Sequence, residues 1–118
     1  MQPDAAVAAF EAAWNADDAG RLALLSRCCL AEAEFVAPGG VTRGTVAVSA
    51  SIGEFRRSFP AAVVALGATE ACSRCGRVSW ATRWNDGREA PAGEDFIEFA
   101  DDGRIRRIVS SNGSPAAA

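Results

Sequence analysis

Apolar residues return every three to four positions near the start of the chain. Val7, Phe10 and Trp14 fall at i, i+3 and i+7 and form one stripe, which predicts a helix from Pro3 to Trp14. Pro3 suits the first turn of such a helix. The polar run from Asn15 to Gly20 interrupts it, and Asp17 or Asp18 is placed to cap a second helix. That helix carries Leu22, Leu25 and Cys28 or Cys29 on one face and is expected to run to about Leu30. In a third stretch Val48, Ile52, Phe55 and Phe59 recur at i, i+4, i+7 and i+11. Thr45 is the expected N-cap there, and Pro60 ends the helix.

Elsewhere the period changes to two. Glu34 to Ala37 reads as a short strand stopped by Pro38-Gly39-Gly40, and Val41 to Arg43 as a second extended piece. Ala62 to Ala71 reads as one strand. In Arg77 to Trp84, Val78, Trp80, Thr82 and Trp84 alternate with Arg77, Ser79, Ala81 and Arg83. Asn85-Asp86-Gly87 is a turn signal, followed by strands over Glu94 to Phe99 and Arg104 to Ser110. The tail from Asn112 is expected to fray. Helices early and strands late predict one α+β domain over residues 1–118. A curved antiparallel sheet would wrap the three helices into a cone whose mouth is a natural small-molecule site.

Composition narrows the chemistry. The 118 residues are 49% hydrophobic with a net charge of -3, which suits a packed globule. Every basic residue is Arg, and His, Lys and Tyr are absent. Without His, Ser-His-Asp and Cys-His catalysis and His-ligated metals are excluded, so an acid or base must be Asp, Glu or Cys. No basic stripe offers a phosphate backbone a hold, so nucleic acid is not an expected partner. No apolar run approaches the ~20 residues a membrane span needs. With no secretory signal visible, a cytoplasmic protein is expected.

Adjacent Cys28 and Cys29, diverging by ~100° on a helix, make a poor half of a metal site. Cys72-Ser73-Arg74-Cys75 has redox or half-knuckle spacing but falls where a hairpin turn is expected. Reduced thiols, a local disulfide and a metal ligand pair all stay open there. No cofactor and no metal are expected.

The order and spacing of these pieces, from about Ala5 to Val109, resemble the nuclear transport factor 2-like superfamily. Within it they resemble the SnoaL-like polyketide cyclase and ketosteroid isomerase-like branch. The carriers are Phe10 to Asp18, Glu34 to Gly40, Val41 to Gly44 and Asp95 to Ile105. The resemblance implies a cystatin-like cone with an apolar pocket and a homodimer through the outer sheet face. The ketosteroid isomerase pattern places a Tyr where this chain has Phe10, a catalytic Asp where it has Ala37, and a second pocket Asp at Asp95. With base and Tyr replaced, isomerisation by that mechanism is not expected. The His-Asp pair of related dehydratases is absent, and the Asp-Arg-Asp set of limonene epoxide hydrolase-like sites has no counterpart.

Asp95 is therefore the candidate catalytic residue; it alternates with Ile97 and Phe99 on one face, and if that face lines the pocket, desolvation raises its pKa toward the working range of an acid or base. The alternative turns Asp95 outward and Phe96 inward. Phe10, Trp14, Phe35, Phe55, Phe59, Trp80 and Trp84 are the aromatic candidates, with Trp80 and Trp84 the foremost pocket residues. Ala37, Ile97 and Ile108 complete the predicted lining. One Arg among Arg104, Arg106 and Arg107 is a candidate to reach the pocket and hold an anion. Three functions fit: binding of a small apolar or aromatic molecule, an enzyme using Asp95 as general acid/base on an enolisable substrate, or a structural homodimer with a filled cone.

Overall fold

The computed structural model describes residues 1–84 and 91–111. Its elements are α1 (Pro3–Asn15), α2 (Asp18–Cys28), β1 (Cys29–Ala37), β2 (Gly40–Arg43), α3 (Thr45–Ser58), β3 (Val63–Leu66), β4 (Glu70–Cys72), β5 (Cys75–Arg83), β6 (Ala92–Phe99) and β7 (Ile105–Ser111). The sheet order is β2-β1-β7-β6-β5-β3, with β4 also on β5. The result is an α+β fold with a curved, unclosed sheet and the helices against it. No helix among the described residues is long and apolar enough to cross a membrane. The turn signal at Asn85-Asp86-Gly87 and the tail from Asn112 lie outside the described residues.

The helices start and stop for local reasons. Asp17 caps α2 by accepting from the Gly20 N–H at 3.0 Å. The helix ends at Cys28, not near Leu30, because Cys29 already has extended backbone and begins β1. The buried face of α2 is Arg21, Leu25 and Cys28, while Leu22 points to solvent. Gly44, not Thr45, caps α3; its φ of +91° suits glycine, and its carbonyl accepts from the Val48 N–H at 3.0 Å. Asn15 does more than stop α1: its side-chain amide donates to the Val64 carbonyl, and its oxygen accepts from the Val64 N–H. That pair of bonds staples the end of α1 to β3.

The sheet departs from the expected meander in three ways. The strand predicted over Ala62 to Ala71 is two, β3 and β4, because the nine-residue β5 is long enough to pair both in turn. Gly67 bridges the gap by donating its N–H to the Ser79 carbonyl at 2.8 Å. Secondly, β1 pairs β7 in parallel, so the sheet is mixed. Thirdly, a register shift between Glu98 and Phe99 lets both Ile105 and Ile108 face the core and leaves Arg106 and Arg107 outside.

Strand β6 keeps strict alternation. Gly93, Asp95, Ile97 and Phe99 are buried, while Phe96 is 47% exposed. Asp95 sits opposite Val78 on one side and Ser110 on the other. Gly93 pairs with Trp80, and a Cβ there would meet the Ser111 carbonyl oxygen and the Trp80 ring at 2.9 Å. The indole therefore lies against bare backbone. Gly93→Ala is expected to destabilise the protein by about 2 kcal/mol through overpacking between β5, β6 and β7. Urea unfolding checks this, and a midpoint equal to wild type would show that the strands part freely.

Candidate functional site

The helices and the curved sheet enclose a cavity of about 420 Å³. From α1 it receives Phe10 and Trp14; from α3, Val48, Ser51, Ile52 and Phe55. The β1–β2 arm contributes Phe35, Val36, Ala37 and Thr42. The sheet floor supplies Val64, Leu66, Trp80, Thr82, Asp95, Ile108 and Ser110, and Pro91 lies beside it. These positions share one face because register partners on adjacent strands point the same way.

The aromatic rings are in mutual contact. Phe10 stacks on Phe35 at 5.8 Å between centroids, and Trp14 meets Phe55 edge-on at 5.5 Å. The chain of rings continues outside the cavity, from Phe55 to Phe59 at 5.5 Å and from Phe59 to Trp84 at 4.8 Å.

Asp95 is the one charged residue among the described lining residues. It is only 6% exposed. Burial pushes its carboxyl up from 3.8 to about 6, and a hydrogen bond with Ser110 partly opposes that rise. Its Oδ1 is buried without a hydrogen-bond partner, as is the Trp80 Nε1. A carboxyl of this kind holds its proton in mildly acidic solution and releases it near neutrality. It is therefore suited to give or take a proton at a bound molecule.

Of the predicted site residues, Phe10, Trp14, Phe35, Ala37, Phe55, Trp80, Asp95 and Ile108 line the cavity. Three do not. Ile97 is sealed in the core cluster and does not reach the cavity wall, although its register partner Ile108 does. Phe59 is half-exposed just past the end of α3, beyond the cavity wall. Trp84 lies past the end of β5, against Phe55 and Phe59 rather than on the floor. The idea of an Arg reaching the pocket is also corrected. Arg106 and Arg107 pair with Glu98 and Glu34 on the outer face, and Arg104 pairs with Asp102. A filled cone does not fit either, since about 420 Å³ is open.

Ser110 and Thr82 were missed, although Asp95, Trp80 and Thr82 share the parity of their strands. Strand alternation could have proposed Thr82; only the β6–β7 register brings Ser110 to Asp95.

The cysteines sit apart from this site. Cys28 and Cys29 are buried with their sulfurs 3.6 Å apart, closer than two helical neighbours, because one ends a helix and the other opens a strand. Their mutual hydrogen bond pulls the Cys28 thiol below its usual value; that bond and burial push Cys29 up. Cys72 and Cys75 are exposed register partners across the β4–β5 turn, and all four are free thiols. Among the described residues, no three His, Cys, Asp or Glu side chains gather as a metal site.

Three helices, a curved unclosed sheet and a cavity between them define the nuclear transport factor 2-like, cystatin-like class of fold. Within that class the chain is similar to SnoaL-like proteins. A protein of Agrobacterium tumefaciens str. C58, provisionally assigned as an isomerase of the SnoaL-like family, superposes with a TM-score of 0.84 at 25% identity. The match covers 92% of this chain and 95% of that one. A nuclear transport factor 2-like protein of unknown function from Cytophaga hutchinsonii ATCC 33406 gives 0.71 at 11% identity, over 93% and 88% of the two chains. A provisionally assigned ketosteroid isomerase from Kribbella flavida DSM 17836 gives 0.71 at 16% identity, over 96% and 78%. The last two establish the fold alone. No protein-family profile matches the sequence, and no curated protein sequence matches it.

Proposed function

We propose that the cone is a binding site for a small apolar or aromatic molecule. The observation that carries this is an open cavity of about 420 Å³, walled by aromatic rings around one buried carboxyl. That volume falls in the usual ligand-pocket range of ~300–1,000 Å³. Trp14 and Trp80 lie on the wall, so naphthol is expected to quench tryptophan fluorescence saturably. Val64→Phe, which fills the floor, is expected to abolish that saturation while leaving the circular dichroism spectrum unchanged. Linear quenching, identical in both proteins, would reject the reading.

A second reading is favoured by the unpartnered Asp95 Oδ1 and a carboxyl raised to about 6. In it Asp95 moves a proton on an enolisable carbonyl compound, as general acid or base. One well-placed carboxylate contributes ~10²–10⁴-fold. The measurement is deuterium exchange at the α-carbon of tetralone by wild type and by Asp95→Asn. Equal rates would remove Asp95 from any such chemistry.

The outer sheet face supports association with a second copy of the chain. Phe96 and Val109 are register partners there, flanked by the Glu34–Arg107 and Arg107–Glu98 ion pairs. Phe96→Glu is expected to convert a dimer to a monomer by light scattering at micromolar concentration. A monomeric wild type would reject the dimer. We also propose a cytoplasmic location, which two thiols packed in the core would suit.

A further inference from the structure

We propose that the cone takes a cationic ligand: a small cyclic amine whose ammonium group pairs with the Asp95 carboxylate inside the ring of aromatic side chains. This rests on the reading of the cone as a ligand site and specifies its occupant.

Charge placement carries the argument. A buried carboxylate is costly unless it is paired, and such groups are found with a cationic partner or coordinated. Here Ser110 is the polar neighbour across the β6–β7 ladder, and Oδ1 has no partner. No basic side chain lies among the described lining residues. Arg104, Arg106 and Arg107, on and beside β7, are occupied outside the cone with Asp102, Glu98 and Glu34. Arg21, the buried one among the described arginines, is tied to the junction of α1, α2 and α3 by Ala16, Asp18 and Ser49. The protein therefore supplies an anion to the cavity without a counter-ion from those groups.

The walls suit the same charge. Phe10, Trp14, Phe35 and Phe55 present a connected set of rings, and ring faces attract a desolvated cation. An anionic ligand would meet repulsion from Asp95 and no attractive partner among the described lining groups. A neutral ligand would leave the carboxylate unpaired. An ammonium group donates to Oδ1 and offsets the cost of burying the charge.

Among the described residues, the groups around Asp95 do not titrate. They are Val78 and Trp80 from β5 and Ser110 from β7. Across the cavity stand Phe10 and Trp14 from α1, and Ile52 and Phe55 from α3. An acid-side loss of amine binding that Asp95→Asn abolishes therefore reports Asp95 itself. The selectivity is present when Asp95 is ionised and fades as pH falls through its midpoint.

One scaffold tests this with three charges: aminoindane, indanol and indane carboxylate, titrated calorimetrically into the full chain. Above the Asp95 midpoint, wild type is expected to bind aminoindane roughly tenfold or more tighter than indanol, the usual scale of a hydrogen bond to a charged group. The carboxylate should bind weakest. In Asp95→Asn the amine and the alcohol should become equal, the amine losing far more. If that variant fails to fold, the wild-type pH series decides, because the amine preference must vanish on acidification. An alcohol bound as tightly as the amine by wild type overturns the proposal and leaves the pocket standing. So does an amine preference that survives Asp95→Asn. If none of the three binds, the pocket reading and this inference fall together.

Discussion

Asp95→Asn is expected to stabilise the protein at neutral pH and to flatten its stability between pH 3.8 and about 6. In the folded chain the carboxyl is buried and titrates near 6, against 3.8 when exposed. Between those values the native state holds a proton that the unfolded state has lost. Stability therefore falls as pH rises through that window and levels off above it. The gap between 3.8 and about 6 corresponds to a loss on the order of 3 kcal/mol by neutral pH. Asn keeps the shape and a group for Ser110 to bond, but carries no charge to desolvate. Chemical denaturation of both proteins across this pH range measures the difference. A wild type that gains stability from pH 4 to 6 relative to Asp95→Asn would show that the carboxylate is already paired. The same cost gives a cationic ligand its leverage, since a bound ammonium should restore stability to wild type and not to the variant.

Arg21→Met should cost about 3 kcal/mol, although it replaces a buried charge by an apolar chain of similar length. Arg21 is 2% exposed and packs under α3, where a Cβ on Gly53 would approach its Nη1 to 3.0 Å. Its Nη2 donates to the Ala16 carbonyl at 2.8 Å, and its Nη1 donates to Asp18 at 2.8 Å and to the Ser49 carbonyl at 3.3 Å. Met fills the volume of the stem but leaves the carbonyls of Ala16 and Ser49 without this donor. The ion pair itself adds little, because the Asp18 side chain is 74% exposed. The melting midpoint is expected to fall by roughly 10 °C or more. Asp18→Asn, which removes the charge and spares the backbone bonds, is expected to leave it nearly unchanged. Equal losses in the two variants would place the energy in the ion pair instead.

Arg21 also marks where a sequence reading of this chain goes astray. A hydrophobic stripe through Leu22 and Leu25 looks reasonable, yet the helix turns Arg21, Leu25 and Cys28 inward. Nothing in the spacing announces that an Arg will be buried. Besides the exposed Asp18 carboxylate, its partners are two backbone carbonyls, one of them 28 residues away. The split of β3 from β4 is of the same kind, since both are shaped by the length of β5 rather than by their own residues.

What the sequence determined by itself is what depends on neighbours along the chain. The helical stripes of Phe10 and Trp14 and of Val48, Ile52 and Phe55 follow from the 3.6-residue period. The two-residue period of β6 likewise set Asp95 against Phe96. The residue types also excluded His chemistry before any fold was known. Tertiary structure alone decided the rest. The register of β6 on β7 brought Ser110 to Asp95, and a shift in that ladder turned the arginines outward. The packing of helices on the sheet left a cavity open with Trp80 in its wall and Ile97 in the core. Those outcomes depend on pairings across long stretches of chain, whose energies lie between strands and not within them. Whether a carboxyl is solvated or buried is such an outcome, and it sets the character of Asp95.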